Sequence, residues 1–149
     1  RSSPLTPAAH PAPLSAGQTA RGPGTGTAFR QIMSAELAFA YDRTTVVMGN
    51  TDITVDQGGS GGSDALQADG DPMRRVAAEG RRVLLEMAAA QYGVPVTQLT
   101  VSDGVISVKG DPSKTITYGK LIGGKKVNIA LTGRHTDETT GPAKLKPVQ

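Results

Sequence analysis

A chain of 149 residues with 37% hydrophobic and 3% aromatic side chains, and no tryptophan, can build one modest core. Its 19 glycines and 10 prolines add much irregular backbone, so packing against another domain or chain is expected. The net charge of +3 makes no basic stripe of the kind a nucleic acid needs, and the absence of cysteine excludes disulfides, Cys-ligated zinc or iron–sulfur clusters and thiol nucleophiles within this chain.

In chain order, residues 1–23 contain five prolines and almost no apolar periodicity. Such a segment cannot bury enough surface to offset its ordering entropy, and it reads as an extended or disordered arm. Phe29, Ile32, Met33, Leu37 and Ala40 recur at spacings of three and four, which predicts a helix over 27–41 with Thr27 as its N-cap. The β-branched run TTVVM predicts a strand over 44–48, Gly49-Asn50 a turn, and residues 53–55 a second short strand. A long helix is expected over 72–92: Pro72 suits a first turn, Gly93 a C-cap, and Met73, Val76, Gly80, Val83, Leu84 and Met87 one apolar face. QLTVSDGVISVK over 98–109 reads as a β-hairpin about Asp103-Gly104, residues 118–122 as one helical turn, and residues 132–149 as an extended tail or linker. No apolar run approaches the roughly 20 residues that cross a bilayer.

Two small-residue stretches could contact an anion. Gln57, Gly58, Gly59, Ser60, Gly61, Gly62 and Ser63 leave the main chain open, and consecutive amides can form a concave anion site. Composition alone favours a flexible loop, because DALQADGDP separates Ser63 from the helical pattern and Asp64 would repel an anion. Gly24, Thr25 and Gly26 precede the first predicted helix and read on their own as a turn and cap. Neither stretch is a Walker A motif or a G-x-G-x-x-G fingerprint, which excludes a nucleotide-hydrolysing P-loop. Arg74-Arg75 and Arg81-Arg82 read as a solvated helix face, with phosphate or partner-acid binding as the alternative. His10 and His135 lie in the arm and the tail, and Glu36, Glu79 and Glu86 form no paired-carboxylate set, so no catalytic residue is assigned.

The order of GTGTAFRQIMSAEL, TTVVMGNTDITVDQGGSGGS, RRVAAEGRRVLLEMAAAQYGVPVTQLTVSDGVISVKG and YGKLIGG resembles the molybdopterin-binding large subunit of the xanthine dehydrogenase/aldehyde oxidase family. The likeness is to its bacterial branch, typified by isoquinoline 1-oxidoreductase, and extends over residues 24–124. It implies a molybdenum hydroxylase that oxidises an N-heterocycle or an aldehyde, with water as the oxygen source. It also implies an α+β fold, with two main helices on short strands plus a hairpin, forming a partial molybdopterin-binding domain over 24–131. By matching position, Gly24, Thr25 and Gly26 and the stretch from Gln57 to Ser63 would contact the cofactor, expected in its cytosine dinucleotide form. The molybdenum would be held by the pterin rather than by protein ligands.

The same resemblance places the catalytic base, a glutamate, further along the subunit and iron–sulfur clusters on a partner chain. The chain alone is therefore expected to be inactive. Its expected partners are the remaining part of the molybdenum subunit, the iron–sulfur subunit, and a flavin subunit or cytochrome. The family's usual strand before the G-x-G turn is replaced here by Arg21-Gly22-Pro23, which motivates the alternative of a non-catalytic structural or interaction domain derived from that family. The compartment is left open between bacterial cytoplasm and periplasm.

Overall fold

A computed structural model describes residues 12–16, 24–50, 52, 54 and 65–124. Its elements are β1 (Ala12–Ala16), α1 (Thr25–Leu37), β2 (Thr44–Met48), α2 (Ala65–Tyr92), β3 (Leu99–Ser102), β4 (Val105–Val108), β5 (Asp111–Thr117) and α3 (Tyr118–Ile122). They form two small sheets, a parallel β1–β2 pair and an antiparallel β3–β4–β5 sheet, and the fold is the expected α+β class.

β1 has no local signal: APLSA lies in the proline-rich segment expected to be an arm, and its pairing depends on β2. The two strands run in parallel with Ala12 opposite Thr44 and Ala16 opposite Met48, so α1 serves as the crossover that parallel pairing requires. The expected strand over 53–55 cannot be placed, since Ile53 and Val55 lie outside the described residues.

α1 starts at Thr25 and ends at Leu37, shifted from the predicted 27–41. Its end is set by tertiary contacts. Ala38 adopts a left-handed conformation (φ 52°), the Phe39 amide donates to Ser34 O, and the Gly104 amide donates to Ala38 O at 2.9 Å. The Ala40 amide then donates to Asp103 Oδ1 at 3.0 Å, and Arg43 lies 2.6 Å from the other carboxylate oxygen. These bonds draw residues 38–43 out of the helix and onto the β3–β4 turn.

α2 begins at Ala65, before the expected start, and Pro72 sits inside it. Pro72 has no amide to donate to the carbonyl four residues earlier, and its ring is accommodated on the exposed side. The buried face also differs from the expected one. Val76 is 54% exposed and Met73, Gly80, Val83 and Met87 are half-buried, whereas Ala77, Ala78, Glu79, Leu84 and Ala88 are buried. Small residues win because they let neighbouring elements approach: a Cβ on Gly70 would lie 3.6 Å from Ile32 of α1. The first half of α2 packs on α1, where Phe29 and Met33 are buried. Its second half, through Leu84 and Ala88, packs with Leu99, Ile106, Val108 and Tyr118.

The hairpin turns at Asp103 (φ 47°) and Gly104 (φ 70°), the left-handed pair that a two-residue loop demands. β5 escapes a pattern reading because of Pro112 and the polar Ser113-Lys114. Among the described residues it pairs only with β4, and its register shifts beside Ser107/Val108, an edge position that tolerates proline.

The turn joins the two halves of the fold. The Gly104 carbonyl accepts from the Tyr118 amide, the Tyr118 hydroxyl donates to Leu37 O at 3.0 Å, and the Tyr118 ring meets Phe39 edge-on at 5.3 Å. Any Cβ on Gly104 would collide with the Phe39 ring. Gly104→Ala should therefore cost about 2–3 kcal/mol in denaturant melts, combining left-handed strain with overpacking. Burial pushes the Tyr118 hydroxyl up to about 12 from 10.0, with Arg81 pulling weakly the other way. The folded chain then holds a proton that the unfolded chain has lost, so this stabilisation is complete below pH 10 and declines as pH rises toward 12. Tyr118→Phe should flatten that alkaline decline in a plot of Tm against pH, at a uniform cost of about 1 kcal/mol for the lost hydrogen bond.

Candidate functional site at the carboxyl end of the parallel pair

Parallel strands exit at the same end. Beyond Ala16 the chain runs on to α1, and beyond Met48 it runs on to the Gly/Ser stretch. Ligand sites in open parallel sheets form at this carboxyl end, where successive crossovers leave a crevice.

The start of α1 lies against this end of β2. A Cβ on Gly26 would lie 3.3 Å from Val46 Cγ1 and 3.4 Å from Met48 Sδ, tighter than ordinary packing. Gly26 therefore has a packing role: it lets the first turn of α1 rest on β2. Gly24 is exposed, no described atom lies within 4 Å of where its Cβ would be, and it caps α1 through its carbonyl, which accepts from the Ala28 amide at 3.0 Å. No described side chain caps this N-terminus, and Thr27 is not the cap. The first-turn amides of α1 thus keep the donor character and positive field that suit a phosphate.

Gln57, Gly58, Gly59, Ser60, Gly61, Gly62 and Ser63 lie outside the described residues, as do His10 and His135, but the flanks of the stretch are described. On the upstream side, Gly49 (φ 62°) turns the chain out of β2. On the downstream side, α2 begins at Ala65, directly after Asp64, so the non-helical interval expected after Ser63 is largely helix. Leu66 in the first turn of α2 and Ala28 in that of α1 line one groove of about 300 Å³, floored by Ile32 and Gly70 and edged by Gln31 and Arg74. Met48 at the end of β2 and Leu66 at the start of α2 therefore both lie beside the first turns of α1.

Of the charged residues of α2, Arg74 pairs across to α1, while Arg75 and Arg82 pair within the helix. Arg74 Nε stands 3.3 Å from Glu36 Oε1, and Arg82 bridges the fully buried Glu79 (2.8 Å) and Glu86 (2.5 Å). Glu79 first, and Glu86 second, hold the Arg82 guanidinium even more firmly protonated than usual. Arg75, paired with Asp71 at 2.8 Å and 61% exposed, matches the reading of a solvated face. Glu36 thus faces Arg74, whereas Glu79 and Glu86 share Arg82. Among the described residues no cluster of three or more His, Asp or Glu could hold a metal ion, and no helix is long and apolar enough to cross a membrane.

Sequence reasoning does not find that Val46 and Met48 support the first turn of α1, although it does mark Gly49-Asn50 as the turn out of β2. The small residue at 26 facing alternate residues of a strand is the available signal for that support.

Residues 12–147 match the family described as a molybdopterin cofactor-binding domain. A nicotinate dehydrogenase subunit from Pseudomonas putida is 33% identical over 110 residues, 74% of this chain and 9% of that protein. Among solved structures, reconstituted CO dehydrogenase from Oligotropha carboxidovorans superposes with a TM-score of 0.58 at 27% identity, covering 70% of this chain and 13% of that one. Quinoline 2-oxidoreductase from Pseudomonas putida 86 superposes with a TM-score of 0.57 at 21% identity over 74% of this chain and 14% of that one, a likeness of fold. The chain belongs to the molybdopterin cofactor-binding domain family, as the resemblance to xanthine dehydrogenase-type large subunits implied. It spans between 9% and 14% of the length of these relatives.

Proposed function

We propose that this chain supplies one wall of the cofactor site of a molybdenum-dependent hydroxylase. Gly24, Thr25 and Gly26 on one side, and Gln57 to Ser63 on the other, would present amides and hydroxyls to the phosphate and pterin portions of molybdopterin. The single observation that carries this reading is that the first turn of α1 rests, through Gly26, on Val46 and Met48 at the carboxyl end of β2. The uncapped first turn of α1 has the donor chemistry that such a group needs, and α2 begins immediately after the stretch to add a second helix N-terminus.

When bound, the molybdopterin supplies the redox chemistry. This chain's residues bind and orient it, while the base, the substrate contacts and the iron–sulfur electron path belong to other parts of the assembly. The likeness to a nicotinate dehydrogenase subunit favours an N-heterocycle over an aldehyde as substrate, with water as the oxygen source. The cytosine dinucleotide form of the cofactor, an iron–sulfur partner subunit and a flavin or cytochrome partner belong to the same reading.

A second reading, a structural domain that kept the fold without the cofactor, is favoured by one observation. The contacts of Gly26 with β2 explain its glycine without any ligand. Metal and pterin analysis of the intact complex carrying this chain separates the two. The cofactor reading expects molybdenum and pterin equimolar with the chain, with cytidine nucleotide released on hydrolysis. An intact complex free of both would leave the structural reading standing.

A further inference from the structure

α2 carries a second helix start inside itself. Asp71-Pro72 is a pair that opens helices: Asp is a favoured N-cap, and Pro suits the first helical position, where its missing amide would have no partner anyway. The helix begins instead at Ala65, so Pro72 leaves the carbonyl four residues back without its helical donor, and Gly70 lies in a helix interior.

Little holds that extension in place. Leu66 is 46% exposed, Asp71 is 61% exposed, and Gly70 brings no side chain to its contact with Ile32 of α1. Beyond Pro72 the helix is anchored by Ala77, Ala78, Leu84 and Ala88, all buried. Local unfolding concentrates in segments that combine few buried contacts with a sequence suited to another state. Leu66, Gly70 and Asp71 also form one wall of the groove whose opposite wall includes Ala28 and Ile32 of α1. Unwinding residues 65–71 removes that wall and uncovers the first turns of α1.

We infer that residues 65–71 are a movable first segment of α2, which winds onto the helix at Pro72 to close the wall beside the first turns of α1 and unwinds to open it. Its consequence for the cofactor, that release waits on unwinding, rests on the cofactor-binding reading above.

The two states differ in particular amides. With the helix starting at Ala65, the amides of Asp69, Gly70, Asp71, Met73 and Arg74 face carbonyls four residues back. With the start at Pro72 they have no partner within the helix, while Arg75 keeps the Asp71 carbonyl. Hydrogen exchange of the intact complex carrying this chain should show those amides exchanging faster than those of Leu84 to Ala88, with the step falling at Arg75. Pro72→Ala should slow their exchange roughly tenfold. It should slow pterin release from the complex by the same factor, because both pass through the unwound state. Leu66→Ala should speed both. Exchange at Asp69 to Arg74 as slow as at Leu84 to Ala88, or unchanged by Pro72→Ala, overturns the movable segment. Slowed exchange with unchanged pterin release overturns its control of the cofactor. An unsubstituted complex that holds no pterin overturns the reading beneath, and the exchange result alone then decides the segment.

Discussion

Parallel pairing of β1 with β2 is the constraint from which the site follows. Strands that pair in parallel must leave the pair at the same end, and the connection between them must travel back its full length. Here α1 makes that return, and its first turn can sit against the strand pair because residue 26 has no side chain to hold it off Val46 and Met48. Residues far apart in sequence, Gly26 and Met48, meet because of this topology. The helix field and first-turn amides of α1 then lie where the chain departs toward the Gly/Ser stretch.

α2 holds this arrangement against the rest of the fold. Its alanines and Gly70 admit α1 closely, while Leu84 and Ala88 anchor the antiparallel sheet. The buried Glu36 carboxylate faces Arg74 across the α1–α2 interface, whereas that of Glu79 is held by Arg82 within α2. The Asp103–Gly104 turn completes the joint by taking up the backbone groups that α1 leaves at its end. The ion pair of Arg43 with Asp103 is partly exposed and is worth no more than about 1 kcal/mol, so it directs the connection rather than securing it.

Much of this is legible in the sequence where local signals agree with the tertiary result. TTVVM marks β2 to the residue, and Asp103-Gly104 between β-branched runs marks the hairpin. The order of motifs points to the family, which composition cannot. The misses share one cause, since each is decided by a distant partner. β1 is a strand only because β2 is there to pair with it, β5 only because β4 offers an edge, and α1 stops at Leu37 because the β3–β4 turn captures residues 38–40. The apolar face of α2 differs from expectation because large side chains dominate a periodicity reading, whereas close packing selects alanine. Of the proposed site, Gly26 is tied to its surroundings through Val46 and Met48 and Gly24 through the Ala28 amide, and the Gly/Ser stretch lies outside the described residues.

The central claim is that two separate segments share one ligand, and hydrogen exchange tests it most directly. Exchange is compared between the intact complex with its cofactor and the same complex after the cofactor is stripped. The account predicts that the amides of Thr25 and Gly26 and those of Gln57 to Ser63 are all slowed by the bound cofactor and released together when it leaves. Protection of one segment alone, or of neither, would contradict it.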